Sequence, residues 1–155
     1  MLSAFPIRWC SWSFQIERRA RAVATIDMAW IRERANVHIG EEQFRSGRNS
    51  FVRGSFYLRH DGELIATAKK RSLFRTFDVK AGGRHFELSA VSIFGRTMRL
   101  HENGRPIGTI SPAGIWSRKA HVKFPESLPL EVRVFLIWLV LILWRRAASS
   151  NVAAG

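Results

Sequence analysis

The chain has 155 residues, with 25 Lys or Arg against 12 Asp or Glu, a formal net charge of +13 and a pI near 11.5. That length holds one domain with a substantial core and leaves no room for two comfortable ones. The single cysteine, Cys10, excludes an internal disulfide, and with His38, His60, His85, His101 and His121 scattered along the chain there is no zinc-type ligand spacing.

The charge favours anionic partners, phosphate surfaces first among them. Arginine supplies 20 of the 25 basic residues, which suits bidentate phosphate recognition and equally suits a GC-rich coding bias. The amino terminus, Met1 to Cys10, lacks a basic start followed by a continuous apolar stretch, so it does not read as a secretory signal. The expectation is a cytoplasmic protein, with attachment to the inner membrane face as an extension of that reading.

Along the chain, short apolar, β-branched and aromatic runs alternate with turn signals at roughly eight- to twelve-residue spacing, the pattern of an all-β sandwich or barrel. Trp12, Phe14 and Ile16 alternate with Ser13 and Gln15, and Val23 to Met28 alternate likewise, so two strands are expected before Arg32. Arg18, Arg19 and Arg21 lie between them, and a helix over Arg18 to Glu33 is the competing assignment. Val37 and Ile39 start a further strand closed by Gly40. The hairpin signals are clearest next: Asp61-Gly62, Gly82-Gly83 and Asn103-Gly104 each separate two strand-like runs. The hairpins around His60-Asp61-Gly62 and His101-Glu102-Asn103-Gly104 share a His-acidic entry, a glycine turn and a later Thr, which suggests an internal duplication.

The run Val134 to Trp144 has no polar face. Eleven helical residues rise about 16 Å, roughly half of a ~30 Å bilayer core, so burial inside a protein is favoured over a membrane span. Pro129 suits a helix start, Ser127 is a candidate cap, Glu131 lies in the first turn and Arg145-Arg146 close the helix with the charge its dipole favours. The expected domain is 1–146 with the helix at about 129–145, and 147–155 is expected to be a fraying tail.

Gly62-Glu63-Leu64-Ile65-Ala66-Thr67-Ala68-Lys69, Gly104-Arg105-Pro106-Ile107-Gly108-Thr109-Ile110, and Leu128-Pro129-Leu130 leading into Phe135, Leu139 and Trp144-Arg145 together give a pattern that resembles the tubby C-terminal-like superfamily. That superfamily includes tubby, the LURP-one-related proteins and the phospholipid scramblases. The resemblance runs from about Ala35 to Arg146 and implies a mainly β fold, a closed antiparallel barrel of about twelve strands around the hydrophobic C-terminal helix. Size argues for the same architecture: a helix about 10–12 Å across needs a wider wall than eight strands provide. The family's phosphoinositide-binding basic residues do not align here and none is carried over. The acidic calcium-binding segment and the cysteine-rich region of scramblases are absent from the sequence.

No catalytic set emerges. His60-Asp61 and His101-Glu102 would make acid/base pairs only if their hairpins met, and turn-flanking surface residues are the stronger reading. No Walker or Rossmann glycine loop is present, and no cofactor is expected. The basic clusters carry the functional reading: Lys69, Lys70 and Arg71 with Arg75, Arg45 with Arg48 and Arg53, and Arg18-Arg19-Arg21 could each face an anionic headgroup, against the alternative of a solvated face. Trp9, Trp12 and Trp30 could anchor at an interface or stack on bases, Trp138 and Trp144 belong to the helix core, and the remaining tryptophan would fill a wide barrel. The expectation is a non-enzymatic binding or scaffold domain on anionic phospholipid. Its rivals are an integral membrane protein anchored by 134–144 and a nucleic-acid-binding protein.

Overall fold

The computed structural model describes residues 1–8, 11–29, 32–71 and 75–153. Twelve strands form one antiparallel up-and-down meander: β1 (Leu2–Pro6), β2 (Ser13–Arg18), β3 (Arg21–Met28), β4 (Arg34–Ile39), β5 (Glu42–Arg48), β6 (Ser55–His60), β7 (Glu63–Lys70), β8 (Thr76–Ala81), β9 (Arg84–Ala90), β10 (Met98–Glu102), β11 (Arg105–Pro112) and β12 (Ala120–Lys123). The sheet closes where β1 pairs with β12, Leu2 opposite Val122 and Ala4 opposite Ala120. Closure removes the free strand edges that would otherwise recruit other chains.

Strand features recur every 42 residues, as the hairpin tips at 19, 61 and 103 show: Arg19-Ala20, Asp61-Gly62 and Asn103-Gly104 all have positive φ at both positions, the conformation of a two-residue type I′ hairpin. Just before each tip the register slips by one, between Ile16 and Glu17, Leu58 and Arg59, and Leu100 and His101. Leu2–Arg18, Phe44–His60 and Phe86–Glu102 pair at the same relative places. The barrel is therefore a four-stranded unit used three times, and the two similar hairpins of the sequence are two members of this threefold set. The third member is masked in the sequence because Arg19-Ala20 replaces the glycine turn. One extra residue precedes β12, so that Thr109 faces Lys123 where Thr25 faces His38 and Thr67 faces Lys80.

The lumen holds helix α1 (Leu130–Ala153), of which every residue from Val134 to Ile142 is fully buried. The lack of a polar face is thus explained by wall on every side. Inward positions alternate along each strand, as Phe14 and Ile16, Phe56 and Leu58, Phe77 and Val79, and Leu88 do. Trp138 stacks on Phe135 and meets the edge of Phe56, both at 5.9 Å between centroids. Outward positions hold Gln15, Glu17, Arg45, Arg59, Lys80 and Arg99, charges that a hydrocarbon-facing barrel wall would penalise. Among the described residues no helix is long and apolar enough to cross a membrane.

Several sequence expectations need correction. Three strands, not two, precede Arg32, because Leu2–Pro6 forms β1 and closes the barrel. Arg18 to Met28 lies in the β2–β3 hairpin, which overturns the helix over Arg18 to Glu33, since Arg19 and Ala20 accept the left-handed turn. The helix does not end near Arg145: it continues to Ala153, with Ser149 and Ser150 hydroxyls donating to the carbonyls of Arg145 and Arg146 and no Gly or Pro before Gly155 to stop it. Ser127 is not the cap. The first helical bond runs from Arg133 N to Pro129 O at 3.1 Å, while the Ser127 carbonyl accepts from Arg84.

Candidate functional site

The meander gives the barrel two unlike mouths. At one, β2–β3, β4–β5, β6–β7, β8–β9 and β10–β11 turn within a few residues. Acidic residues gather there: Glu41, Glu42, Asp61, Glu63, Glu102 and Glu126 lie in or beside those turns. Arg84 of the β8–β9 turn grips Glu102 through two bonds of 2.8 and 2.9 Å, which holds that carboxyl below its ordinary range. Arg18 reaches Glu126 at 3.6 Å on the segment leading into the helix.

The other mouth carries the six longer connections, 7–12, 29–33, 49–54, 71–75, 91–97 and 113–119, and the exit of the helix. Glu33 is their sole acidic residue, against Arg8, Arg32, Arg53, Arg71, Arg75, Arg96, Arg118 and Lys119. Long loops at a barrel rim are where binding groups usually sit, because the closed wall fixes their bases.

Arginines bind these loops to one another. Arg118 donates to the carbonyls of Ser11 and Arg8, Arg96 to that of Ile115 at 3.1 Å, and Arg75 to those of Ser92 and Ile93 at 2.7 and 2.8 Å. The helix end joins the same ring. Trp144 donates its indole N–H to Arg96 O at 3.1 Å while the Arg96 guanidinium covers its ring at 4.2 Å, and burial there lowers the Arg96 pKa. Arg145 donates to Ala29 O at 3.0 Å, and Arg146 grips both oxygens of Glu33.

Beside this ring lies an open groove of about 1070 Å³ between the β3–β4 and β5–β6 loops and the helix end. Arg32, Arg34, Arg48, Arg53 and Arg145 line it with Trp12, Phe51, Asn49 and Ser149, and Glu33 is its one acid. Arg48 lies on the same strand face as the inward Phe44 and Ser46, but at the rim, two residues past Ser46. There it meets Glu33 at 3.9 Å. Burial, set against the nearby Glu33 and reinforced by Arg146, lowers the Arg145 pKa. No side-chain hydrogen bond or ion pair among the described residues engages Arg32, Arg34 or Arg53. Their guanidiniums are available to a multivalent anion.

The expected clusters are thereby divided. Arg48 and Arg53 share the groove, whereas Arg45 projects from the outer wall beside Tyr57 and Asp61. Arg71 is held by both oxygens of Asp78, at 3.0 and 2.7 Å, and by Glu87 at 3.1 Å, which raises its pKa. Arg75 is held by carbonyls. Lys69 and Lys70 end β7 below them and do not reach the groove. Arg18, Arg19 and Arg21 lie at the opposite mouth. Trp12 lines the groove, Trp9 and Trp30 fall outside the described residues, and Trp116, expected as barrel filling, is 93% exposed at a loop tip. Arg32, Arg34 and Arg145 were not singled out as binding residues, Arg145 having been read with Arg146 as the charge that closes the helix; the run Arg32-Glu33-Arg34 was the available signal.

His60 and His101 sit on β6 and β10 with three strands between them, so the two His-acid pairs never meet. His60 instead stacks on Phe44 at 4.4 Å. Among the described residues no group of three or more His, Cys, Asp or Glu could hold a metal ion. No family model matches the chain, and neither a curated protein nor a solved structure matches it.

Proposed function

We propose that the chain is a tubby-like, non-enzymatic binding domain that associates peripherally with anionic phospholipid through its long-loop mouth. The observation that carries this reading is the arginine groove, in which Arg32, Arg34 and Arg53 have no side-chain partner among the described residues. Guanidinium forks suit phosphate oxygens, and several converging forks suit a headgroup better than a single carboxylate. The two mouths differ in charge, which would orient the domain with its basic end toward a negative leaflet before contact. A twelve-stranded closed barrel around a buried helix is the architecture that the resemblance to the tubby-like superfamily implies, and it supports a scaffold role.

The test is co-sedimentation with phosphatidylcholine vesicles with and without phosphatidylserine. Each basic residue near the surface contributes about 1 kcal/mol, so Arg34→Ala with Arg53→Ala should weaken binding to anionic vesicles about 30-fold, and added salt should weaken wild type steeply. Lys69→Ala with Lys70→Ala should matter less, because neither lysine lines the groove. Equal binding to neutral and anionic vesicles, or stronger binding to an oligonucleotide than to either, would refute the reading.

A further inference from the structure

The long loops do more than carry charge: their tips are apolar. Phe51, Phe94 and Trp116 are 96, 97 and 93% exposed, with Ile93 and Ile115 beside them at 84 and 82%. Exposed apolar residues scattered singly are ordinary. These are not scattered, because Phe51 and Ile93 occupy one place in the 42-residue repeat. The first repeat has Trp9 at that place in the sequence. The place of Ile115 is likewise taken by Leu73 and Ile31. All six long connections thus carry a bulky apolar residue at or near the middle.

The tips are also mounted on a fixed base. Arg75 holds the carbonyls of Ser92 and Ile93, and Arg96 holds that of Ile115, so each guanidinium secures the backbone beneath a neighbouring loop's tip. The helix end beyond Arg146 extends the same mouth by residues Ala147 to Val152, which include no charge. Exposed apolar tips on three of the described loops beside a basic groove match a surface that is apolar at depth and anionic at its edge.

We propose that this crown penetrates the interfacial layer of an anionic bilayer, with the apolar tips among the upper acyl chains and the groove arginines at headgroup phosphates. The inference rests on the peripheral lipid reading above and adds a mode of insertion to it. Apolar burial is not screened by salt, whereas the arginine contribution is. The two contributions therefore separate experimentally.

The experiment compares wild type with an Ile93→Ser, Phe94→Ser, Trp116→Ser variant, none of whose positions lines the groove, on phosphatidylcholine/phosphatidylserine vesicles at low salt and at about 0.5 M salt. The tips are solvent-exposed, so the variant should melt with wild type. It should keep salt-sensitive binding and lose binding at high salt, with roughly tenfold weaker partitioning for each tip removed. With lipids brominated on the upper acyl chain, wild-type tryptophan fluorescence should be quenched, and Trp116→Phe should lose part of that quenching. Binding of the triple variant indistinguishable from wild type at both salts, or no difference in quenching for Trp116→Phe, would overturn insertion while leaving groove-driven adsorption intact. Absence of any binding by wild type would overturn both. A wild-type dimer that the triple variant lacks, with no quenching by brominated lipid, would assign the crown to a second copy of the chain and overturn the proposal.

Discussion

Trp138 gives the sharpest test of a barrel organised around its helix. The side chain is fully buried, stacked on Phe135 and edged by Phe56, and its indole nitrogen has no hydrogen-bond partner among the described residues. Replacing a buried Trp by Ala costs about 3–5 kcal/mol through lost transfer energy and a residual cavity. The helix is caged by the wall, so collapse into the space is hindered and the upper part of that range is expected. For a domain of this size each kcal/mol moves Tm by about 2–4 °C, so Trp138→Ala should melt roughly 8–20 °C lower. Trp138→Phe behaves differently. It keeps an aromatic face for Phe135 and Phe56 and loses one ring of apolar area, but it also removes a buried donor whose desolvation costs about 1–3 kcal/mol. The opposed contributions nearly cancel, leaving a change within about 1 kcal/mol. Urea denaturation followed by far-UV circular dichroism reads both variants on one scale. A Phe variant as unstable as the Ala variant, or an Ala variant within 1 kcal/mol of wild type, would show that the helix is not clasped at this position.

Two further substitutions probe the wall and the entry of the helix. Arg133 is 6% exposed, its Nε lacks a partner among the described residues, and burial, with repulsion from Arg18, lowers its pKa against the pull of Glu126 and Glu131; Arg133→Met should stabilise the fold by about 1–3 kcal/mol, seen as a higher urea midpoint, and a lower midpoint would show that the charge is compensated. Gly108 holds the repeat position filled by Ala24 and Ala66, yet a Cβ there would stand 2.5 Å from the Lys123 carbonyl oxygen and 2.8 Å from the Phe124 ring. Gly108→Ala should cost about 1–3 kcal/mol in calorimetry, and an unchanged Tm would show that β12 can move aside.

The turns and the apolar run were legible because their causes are local. Asp61-Gly62 and Asn103-Gly104 accept positive φ wherever they occur, and Val134 to Trp144 cannot be solvated in any fold, so the hairpins and the central helix follow from short stretches of chain. The expected strand number was legible for a related reason, since the girth of a helix sets the girth of a wall around it. Where local chemistry was ambiguous, tertiary contact decided. Leu2–Pro6 is a strand because β12 needs a partner to close the sheet. Arg18 to Met28 belongs to the β2–β3 hairpin because Phe14, Ile16, Ala24 and Ile26 lie on one inner face, which a period of two supplies and a period of 3.6 does not.

The mouth was not legible from spacing. Lys69, Lys70, Arg71 and Arg75 are close in sequence, yet Asp78, Glu87 and two backbone carbonyls occupy the two arginines. Arg34, Arg53 and Arg145 are far apart in sequence, yet they line one groove because the meander returns alternate loops to the same rim and the helix ends there. Sequence alone determined the glycine-turn hairpins and the buried helix, through turn chemistry and the solvation of apolar side chains, which act residue by residue. Only the closed barrel decided which charges and apolar tips face outward together, because that depends on the direction of each strand around the ring.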